Sequence, residues 1–170
     1  MREKKVVQMT QAALIAAIYV ALCLVFAPIS YGEVQIRVAE ALTILPFFTP
    51  VAIPGLFVGC LIANVLGGGI MLDVVFGSLA TLLGAVGTYL LRKKSRFLAP
   101  LPPILANTLL VPFVLYYGYG VPLPIPFMMV TVGIGEIVGC GVLGMVLLAA
   151  LSPVSGRLFH LGQAERGENL

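Results

Sequence analysis

The chain has 170 residues, of which 60% are hydrophobic and only 10% are charged, and it contains no Trp. A soluble domain carries about 25% charged residues. With a mean hydropathy of +1.09, the composition excludes an ordinary soluble domain and indicates an all-α membrane protein. The formal net charge is only +3, and no nucleic-acid partner is expected.

The first predicted span covers residues 6–28 and follows a basic start. Its apolar run is longer than the about 7–15 residues of a secretion signal's hydrophobic region, so we expect a retained helix. Within it, Ala13, Ala17 and Ala21 recur every four residues, with Ala12 and Ala16 alongside. Small residues at this spacing let two membrane helices approach closely. The stripe serves either a partner protein or packing within the chain.

Five further spans are predicted, at residues 36–49, 51–68, 72–91, 98–118 and 126–151. The apolar stretch 34–69 is long for one membrane helix and short for two. Pro46, Pro50 and Pro54 in "PFFTPVAIPG" interrupt helical hydrogen bonding and place a break there. The sequence thus predicts a single transmembrane domain over residues 1–160 and a short cytoplasmic tail over 161–170.

Basic residues predict the orientation of these spans. Apart from Arg37, every Lys and Arg lies in the first five residues, in "RKKSR" at residues 92–96, or after the last predicted span, at Arg157 and Arg166. Basic residues favour the cytoplasmic face, so the number of spans between successive clusters must be even. The prediction is a bundle of six transmembrane helices with both termini in the cytoplasm.

The few acidic and amide side chains form a second pattern. Glu40, Asp73 and Glu136, with Asn64 and Asn107, fall on different predicted helices, in the outer half of the membrane or near its middle. An ionised group at a helix centre costs at least ~2.5 kcal/mol, and such residues usually face a cavity or a partner. We therefore expect one polar pocket that opens outward.

The expected pocket is acidic. Together with Glu33 of the first external loop, its acids outnumber the single base Arg37. If all are ionised, this favours a cationic ligand or one rich in N–H donors; the alternative is that desolvation neutralises some of the carboxyls. Other interpretations stay open. Glu33 and Gln35 also suit a solvated loop, Asp73 a helix cap, the two Asn residues helix–helix bonds, and the tyrosines an interfacial belt.

No catalytic, cofactor or metal motif accompanies this pattern. The sequence contains no G-x-x-x-x-G-K-[ST], H-E-x-x-H or G-x-S-x-G motif, and its lone His160 lies in the tail. Cys23, Cys60 and Cys140 have no C-x-x-C spacing and are expected to be buried and free. A binding site without attached chemistry indicates transport or reception rather than catalysis.

Three segments resemble a known family. "RVAEAL" and "PGLFVGCLIAN", followed by "LDVVFGSLATLLGA", resemble the QueT family of queuosine-precursor transporters. This family belongs to the substrate-binding S-components of energy-coupling factor (ECF) transporters. The resemblance covers roughly residues 10–149.

The resemblance implies the fold, the function and the partners. The fold would be the six-helix bundle of ECF S-components, in a bacterial cell membrane. The chain would be non-catalytic and would capture a 7-deazaguanine base, such as the aminomethyl form or queuine. A membrane coupling subunit and two cytosolic ATPases would drive uptake. Ala13 and Ala17 would match the motif that contacts the coupling subunit, with Ala12 and Ala16 as the other register.

The resemblance and the charge pattern together predict the ligand-binding residues. Glu136 or Glu40 would accept hydrogen bonds from the base edge, and Asp73 would meet the ammonium. Arg37 would either orient a carboxylate or bond the base carbonyl. We expect the site to contain Arg37, Glu40, Asn64, Asp73, Asn107, Tyr116 and Glu136, with Tyr116 stacking on the base. An S-component for another small vitamin and a small membrane enzyme acting on lipid are the alternatives.

Overall fold

A computed structural model describes residues 2–27 and 37–159, and all regular structure in that part is helical. The predicted external loop with Glu33 and Gln35, and the tail with His160, lie outside the described residues. The α-helices are α1 (Arg2–Val25), α2 (Ala52–Leu66), α3 (Met71–Leu91), α4 (Leu101–Tyr117), α5 (Ile125–Glu136), α6 (Gly144–Leu151) and α7 (Ser155–Leu158). A 3-10 helix spans Val38–Phe47, a short 3-10 turn spans Arg96–Leu98, and a π-helix spans Ile137–Leu143.

Four of the helical segments are long and apolar enough to cross a membrane. They are Lys4–Val25, Met71–Leu91, Arg96–Tyr117 and Ile125–Leu151, the last running from α5 through the π-helix into α6. A hydrocarbon core of about 30 Å needs about 20 helical residues. The described chain therefore contains at least the four long helices of a multi-pass membrane protein.

The other two apolar helices are shorter than a full span. The 3-10 helix has 10 residues and α2 has 15. Pro46 lies inside the 3-10 helix, and the chain leaves helical structure between Phe48 and Val51, within the proline-rich segment. Proline has no N–H and its ring clashes with the preceding turn, so this segment does not continue as one long helix.

Small residues bring α1 and α2 close together. A Cβ at Gly55 would lie 2.7 Å from the Ala12 carbonyl oxygen, and one at Gly59 would lie 3.0 Å from Ala16 Cα. Ala12 and Ala16 therefore pack within the chain. Ala13, Ala17 and Ala21 lie on the exposed side of α1.

The three basic regions lie at one end of the bundle. Gln11 of α1 donates a hydrogen bond to the Leu158 carbonyl oxygen of α7 at 3.1 Å, and Phe48 stacks on Phe159. Ala99, which follows "RKKSR", packs with Leu148 of α6. The start of α1, the α3–α4 turn and α7 are thus neighbours.

Close contact between α3 and α4 provides a test of this packing. A Cβ at Gly84 would lie 2.6 Å from Pro103 Cα, which is backbone and cannot rotate away. We expect Gly84→Ala to lower the free energy of unfolding in detergent by about 1–3 kcal/mol, because overpacking forces the helices apart. Gly133→Ala, where the nearest atoms are 3.4 Å away, is the matched control. Equal thermal midpoints for the two variants would contradict this packing.

Candidate ligand-binding site

Two buried carboxyl groups from distant parts of the chain face each other. Glu40 lies on the 3-10 helix and Glu136 ends α5, and their side chains are 1% and 4% exposed. Glu40 Oε1 accepts a hydrogen bond from the Tyr19 hydroxyl of α1 at 2.5 Å. The ligand atoms of Glu40, Glu136 and Cys140 all lie within 4.8 Å of one another.

The π-helix fixes the second carboxyl through Cys140. Its thiol donates to Glu136 Oε2 at 3.1 Å and lies 3.5 Å from the Glu40 carbonyl oxygen. Gly139 permits this approach, because a Cβ there would lie 3.0 Å from the Arg37 carbonyl oxygen. π-helices are rare and occur frequently at functional sites, and this one packs directly on the 3-10 helix that carries Glu40.

An ion pair links Arg37, the residue immediately before the 3-10 helix, to α3. Arg37 Nη2 lies 4.0 Å from Asp73 Oδ1, and both side chains are buried. Asp73 Oδ2 accepts a hydrogen bond from the Tyr119 hydroxyl at 2.9 Å. Tyr119 follows α4 and lies outside the spans. Burial, and then the neighbouring Asp73 carboxylate, raise the pKa of its hydroxyl, which keeps it protonated as a donor.

Asn64 lies near the C-terminal end of α2 and links that helix to α3. Its Nδ2 donates to the Asp73 carbonyl oxygen at 3.2 Å and contacts Cys60 Sγ at 3.6 Å. Thr81 of α3 donates to the same sulfur at 3.3 Å. A Cβ at Gly77 would lie 3.0 Å from both Asn64 Nδ2 and Asp73 Oδ1, so glycine leaves the space beside these groups open.

Several buried polar atoms have no hydrogen-bond partner among the described residues. They are Glu40 Oε2, Asp73 Oδ1, Asn107 Nδ2 and Thr108 Oγ1. Asn107 lies on α4, is 2% exposed, and its side chain adjoins both Glu40 and Glu136. Buried polar groups in folded proteins almost always have a partner. Among them, the unpartnered oxygens of Glu40 and Asp73 belong to buried acids, and a polar ligand that binds there would supply the missing donors.

Most of the predicted site residues come together in the structure. Arg37, Glu40, Asn64, Asp73, Asn107 and Glu136 are all buried. Cys140 joins Glu40 to Glu136, and Asp73 contacts both Arg37 and Asn64. The N-cap of α3 is Ile70, and Asp73 lies two residues into the helix, so the alternative interpretation of Asp73 as the cap does not describe it. Asn64 does bond a neighbouring helix, through the Asp73 carbonyl oxygen, as its alternative interpretation predicted.

Tyr116 is not brought into this cluster. Its ring packs edge-to-face on Tyr117 instead. The tyrosines that do contact the cluster are Tyr19 and Tyr119, neither of which the sequence singled out. Tyr19 lies in a long apolar run, so its sequence context did not indicate a site residue. The available signal was its hydroxyl group, which needs a hydrogen-bond partner inside a membrane helix.

The carboxylate–thiol group also has the chemistry of a cation site. Three potential ligand atoms within 4.8 Å could hold a metal ion, which the sequence did not predict. The same arrangement suits an ammonium group or a row of N–H donors, because hydrogen bonds from such groups to carboxylates are charge-assisted and strong. The site thus presents acceptors and negative charge.

Tyr19 provides a test of how the first carboxylate is held. We expect Tyr19→Phe to lower the free energy of unfolding by about 1–3 kcal/mol, because it leaves a buried carboxylate oxygen without its donor. The control is Tyr116→Phe, which removes a hydroxyl from an exposed side chain and should change stability by less than about 0.5 kcal/mol. Thermal unfolding of both variants in one detergent measures the difference. Equal midpoints would mean that the Tyr19–Glu40 bond is absent in the protein.

The fold and this cluster define a helical, multi-pass membrane protein with polar and acidic side chains gathered inside the bundle. A model of the QueT transporter family matches residues 9–153. The chain therefore belongs to the QueT transporter family.

A curated relative also matches part of the chain. The queuosine precursor transporter QueT of Lactococcus lactis subsp. cremoris (strain MG1363) is 36% identical over 85 residues. The aligned part covers 49% of this chain and 50% of that relative, so the chain spans about half the length of the relative it matches. No solved structure matches the chain.

Proposed function

We propose that this protein is the substrate-binding S-component of an ECF-type importer in a bacterial cell membrane. It would capture a queuosine precursor, a 7-deazaguanine base, from outside the cell. A membrane coupling subunit and two cytosolic ATPases would supply the energy for uptake, and the chain itself would be non-catalytic. The observation that carries this proposal is the buried carboxylate cluster with unpartnered polar atoms, in a chain of the QueT transporter family.

The charge of the cluster supports the ligand class. Glu40, Asp73 and Glu136 are three acids against the single base Arg37, and all four are buried. A 7-deazaguanine base presents ring and exocyclic N–H donors, and its aminomethyl form adds a positive charge near neutral pH. Both features complement carboxylates in a low-dielectric site.

The position of the basic regions supports the orientation. They lie at one end of the bundle, while Asp73 and Tyr119 lie at the α2–α3 and α4–α5 turns of the opposite end. Because Lys and Arg favour the cytoplasmic face, the ends of the described chain would be cytoplasmic. The cluster would then be reached from outside, as a binding subunit for uptake requires.

Direct binding to the purified chain tests the proposal. We expect the protein alone, in detergent, to bind 7-aminomethyl-7-deazaguanine tightly in calorimetry and to release it chemically unchanged. Binding of the 7-cyano form should be weaker, because it lacks the cationic arm. Retention of an unrelated vitamin, or chemical conversion of the base or of a lipid, would contradict the proposal and favour one of the alternatives.

A further inference from the structure

Three potential metal ligands come together where the 3-10 helix packs on the π-helix. They are a carboxylate oxygen of Glu40, a carboxylate oxygen of Glu136 and the sulfur of Cys140, and the three atoms lie within 4.8 Å of one another. All three residues are buried. Gly139 allows this approach, because a Cβ there would lie 3.0 Å from the Arg37 carbonyl oxygen and 3.7 Å from Glu40 Cβ. The packing of the two helices therefore fixes the three ligand atoms near one point.

The spacing of these atoms is close to that of a tetrahedral zinc site. Zn²⁺ binds sulfur at about 2.3 Å and carboxylate oxygen at about 2.0–2.2 Å, so two of its ligand atoms lie roughly 3.5 Å apart. Cys140 Sγ is 3.1 Å from Glu136 Oε2, and no pair in the group is separated by more than 4.8 Å. Small side-chain shifts would therefore bring all three atoms within bonding distance of one ion.

Neighbouring hydroxyl groups hold two of the ligands. The Tyr19 hydroxyl donates to Glu40 Oε1 at 2.5 Å, whereas the buried Glu40 Oε2 has no hydrogen-bond partner among the described residues. A buried acceptor without a partner is costly, and a bound cation would satisfy it. Thr43 Oγ1 lies 3.4 Å from Cys140 Sγ, within reach to donate to a thiolate. Metal ligands in proteins are usually oriented by such outer hydrogen bonds.

The donor atoms select the class of ion. Mg²⁺ and Ca²⁺ take six or more oxygen ligands, and a thiolate is a poor ligand for either of them. One thiolate with two carboxylates suits a borderline transition-metal ion such as Zn²⁺, or Co²⁺ in its place. Three protein ligands leave the fourth tetrahedral position for a water molecule.

We propose that Glu40, Glu136 and Cys140 bind a divalent transition-metal ion, Zn²⁺ by preference, inside the bundle. On binding, the Cys140 thiol loses its proton to solvent and coordinates as the thiolate. This inference goes beyond the proposed function, because it concerns the chain with a metal ion alone and stands whether or not a base binds. Where both are present they compete, since the ion takes the carboxylate oxygens that would accept hydrogen bonds from the base.

The experiment titrates Co²⁺ and then Zn²⁺ into the purified, reduced full chain, free of any affinity tag and of added base. We expect one Co²⁺ per chain, with a near-ultraviolet thiolate-to-cobalt charge-transfer band, and its displacement by Zn²⁺. Cys140→Ser should abolish the band. Glu136→Gln keeps the thiol but removes an oxygen ligand, and it should weaken Zn²⁺ binding at least about 100-fold. The matched control is Cys23→Ser, which removes a buried free thiol of α1 outside the three-ligand group and should change neither.

Two ligand variants keep the result interpretable if one of them does not fold. A band of equal intensity in Cys140→Ser, or unchanged Zn²⁺ affinity in Glu136→Gln, would place the ion elsewhere and overturn the inference. Absence of saturable Co²⁺ binding by the unaltered chain would overturn it as well. Loss of the band in Cys140→Ser, with the band kept in Cys23→Ser, supports it. None of these results bears on the proposed function, whose test measures binding of the base without added metal.

Discussion

Replacing Glu136 with Gln is expected to weaken binding of 7-aminomethyl-7-deazaguanine by about 100-fold while leaving the protein at least as stable as before. The loss of affinity follows because a buried carboxylate that accepts charge-assisted hydrogen bonds from a cationic ligand contributes about 2–5 kcal/mol. The stability has the opposite sign because two acids whose ligand atoms lie within 4.8 Å cannot both ionise without repulsion. Gln relieves that repulsion and can donate to Glu40. Calorimetry and thermal unfolding on the same preparation measure the two effects.

The opposite signs distinguish a binding role from a structural one. A residue that only supports the fold would lose stability and affinity together. Ser78→Ala is a suitable control, because Ser78 is also buried but bonds only the Val74 carbonyl oxygen of its own helix. Unchanged affinity in Glu136→Gln would exclude Glu136 from the site, and a large drop in its thermal midpoint would mean that the carboxylate holds the bundle together.

Much of the fold could be predicted because the bilayer limits what a hydrophobic segment can do. Long apolar runs must be helical, so α1, α3 and α4 follow from composition alone, and prolines mark the break after Phe47. What could not be predicted is the form of the helices that carry the two glutamates. A 3-10 helix and a π-helix differ from an α-helix by one residue in hydrogen-bond spacing, and tertiary packing decides between them.

The candidate site was predictable for a related reason. Charged side chains inside a membrane need partners, so Glu40, Asp73 and Glu136 stood out against their apolar surroundings. Uncharged groups give no such signal. Cys60 and Cys140 were correctly expected to be buried and free, yet their sulfurs contact Thr81 and Glu136. Likewise, a tyrosine at the membrane interface and a tyrosine in a binding site give the same sequence pattern. Tyr116 was predicted for the site, whereas Tyr119 contacts Asp73.

The two ends of the bundle differ in charge. Positive charge collects in exposed turns at one end, while the buried acids lie toward the other. The acidic end attracts a cationic ligand as it approaches, and the Lys and Arg residues at the other end repel it. Release into the cytoplasm would then need outside work, which the proposed dependence on partner ATPases would supply.

That dependence makes the exposed face of α1 the second place where a large effect is expected. We expect the double variant Ala13→Leu/Ala17→Leu to bind the ligand normally but to lose at least about 90% of ATP-driven uptake when reconstituted with its coupling subunit and ATPases. Both alanines are exposed, so larger side chains do not disturb the fold. They would hold a partner helix away from the small-residue face on which close approach depends.

Two controls separate this interface from general damage to the chain. Ala149→Leu enlarges an exposed alanine on α6 and should leave uptake unchanged. Ala16→Leu should behave in the opposite way to the α1 double variant. Because Ala16 packs against Gly59, its enlargement should destabilise the protein and weaken ligand binding as well as uptake. If Ala13→Leu/Ala17→Leu supports full uptake, this face of α1 meets only lipid and the coupling subunit binds elsewhere.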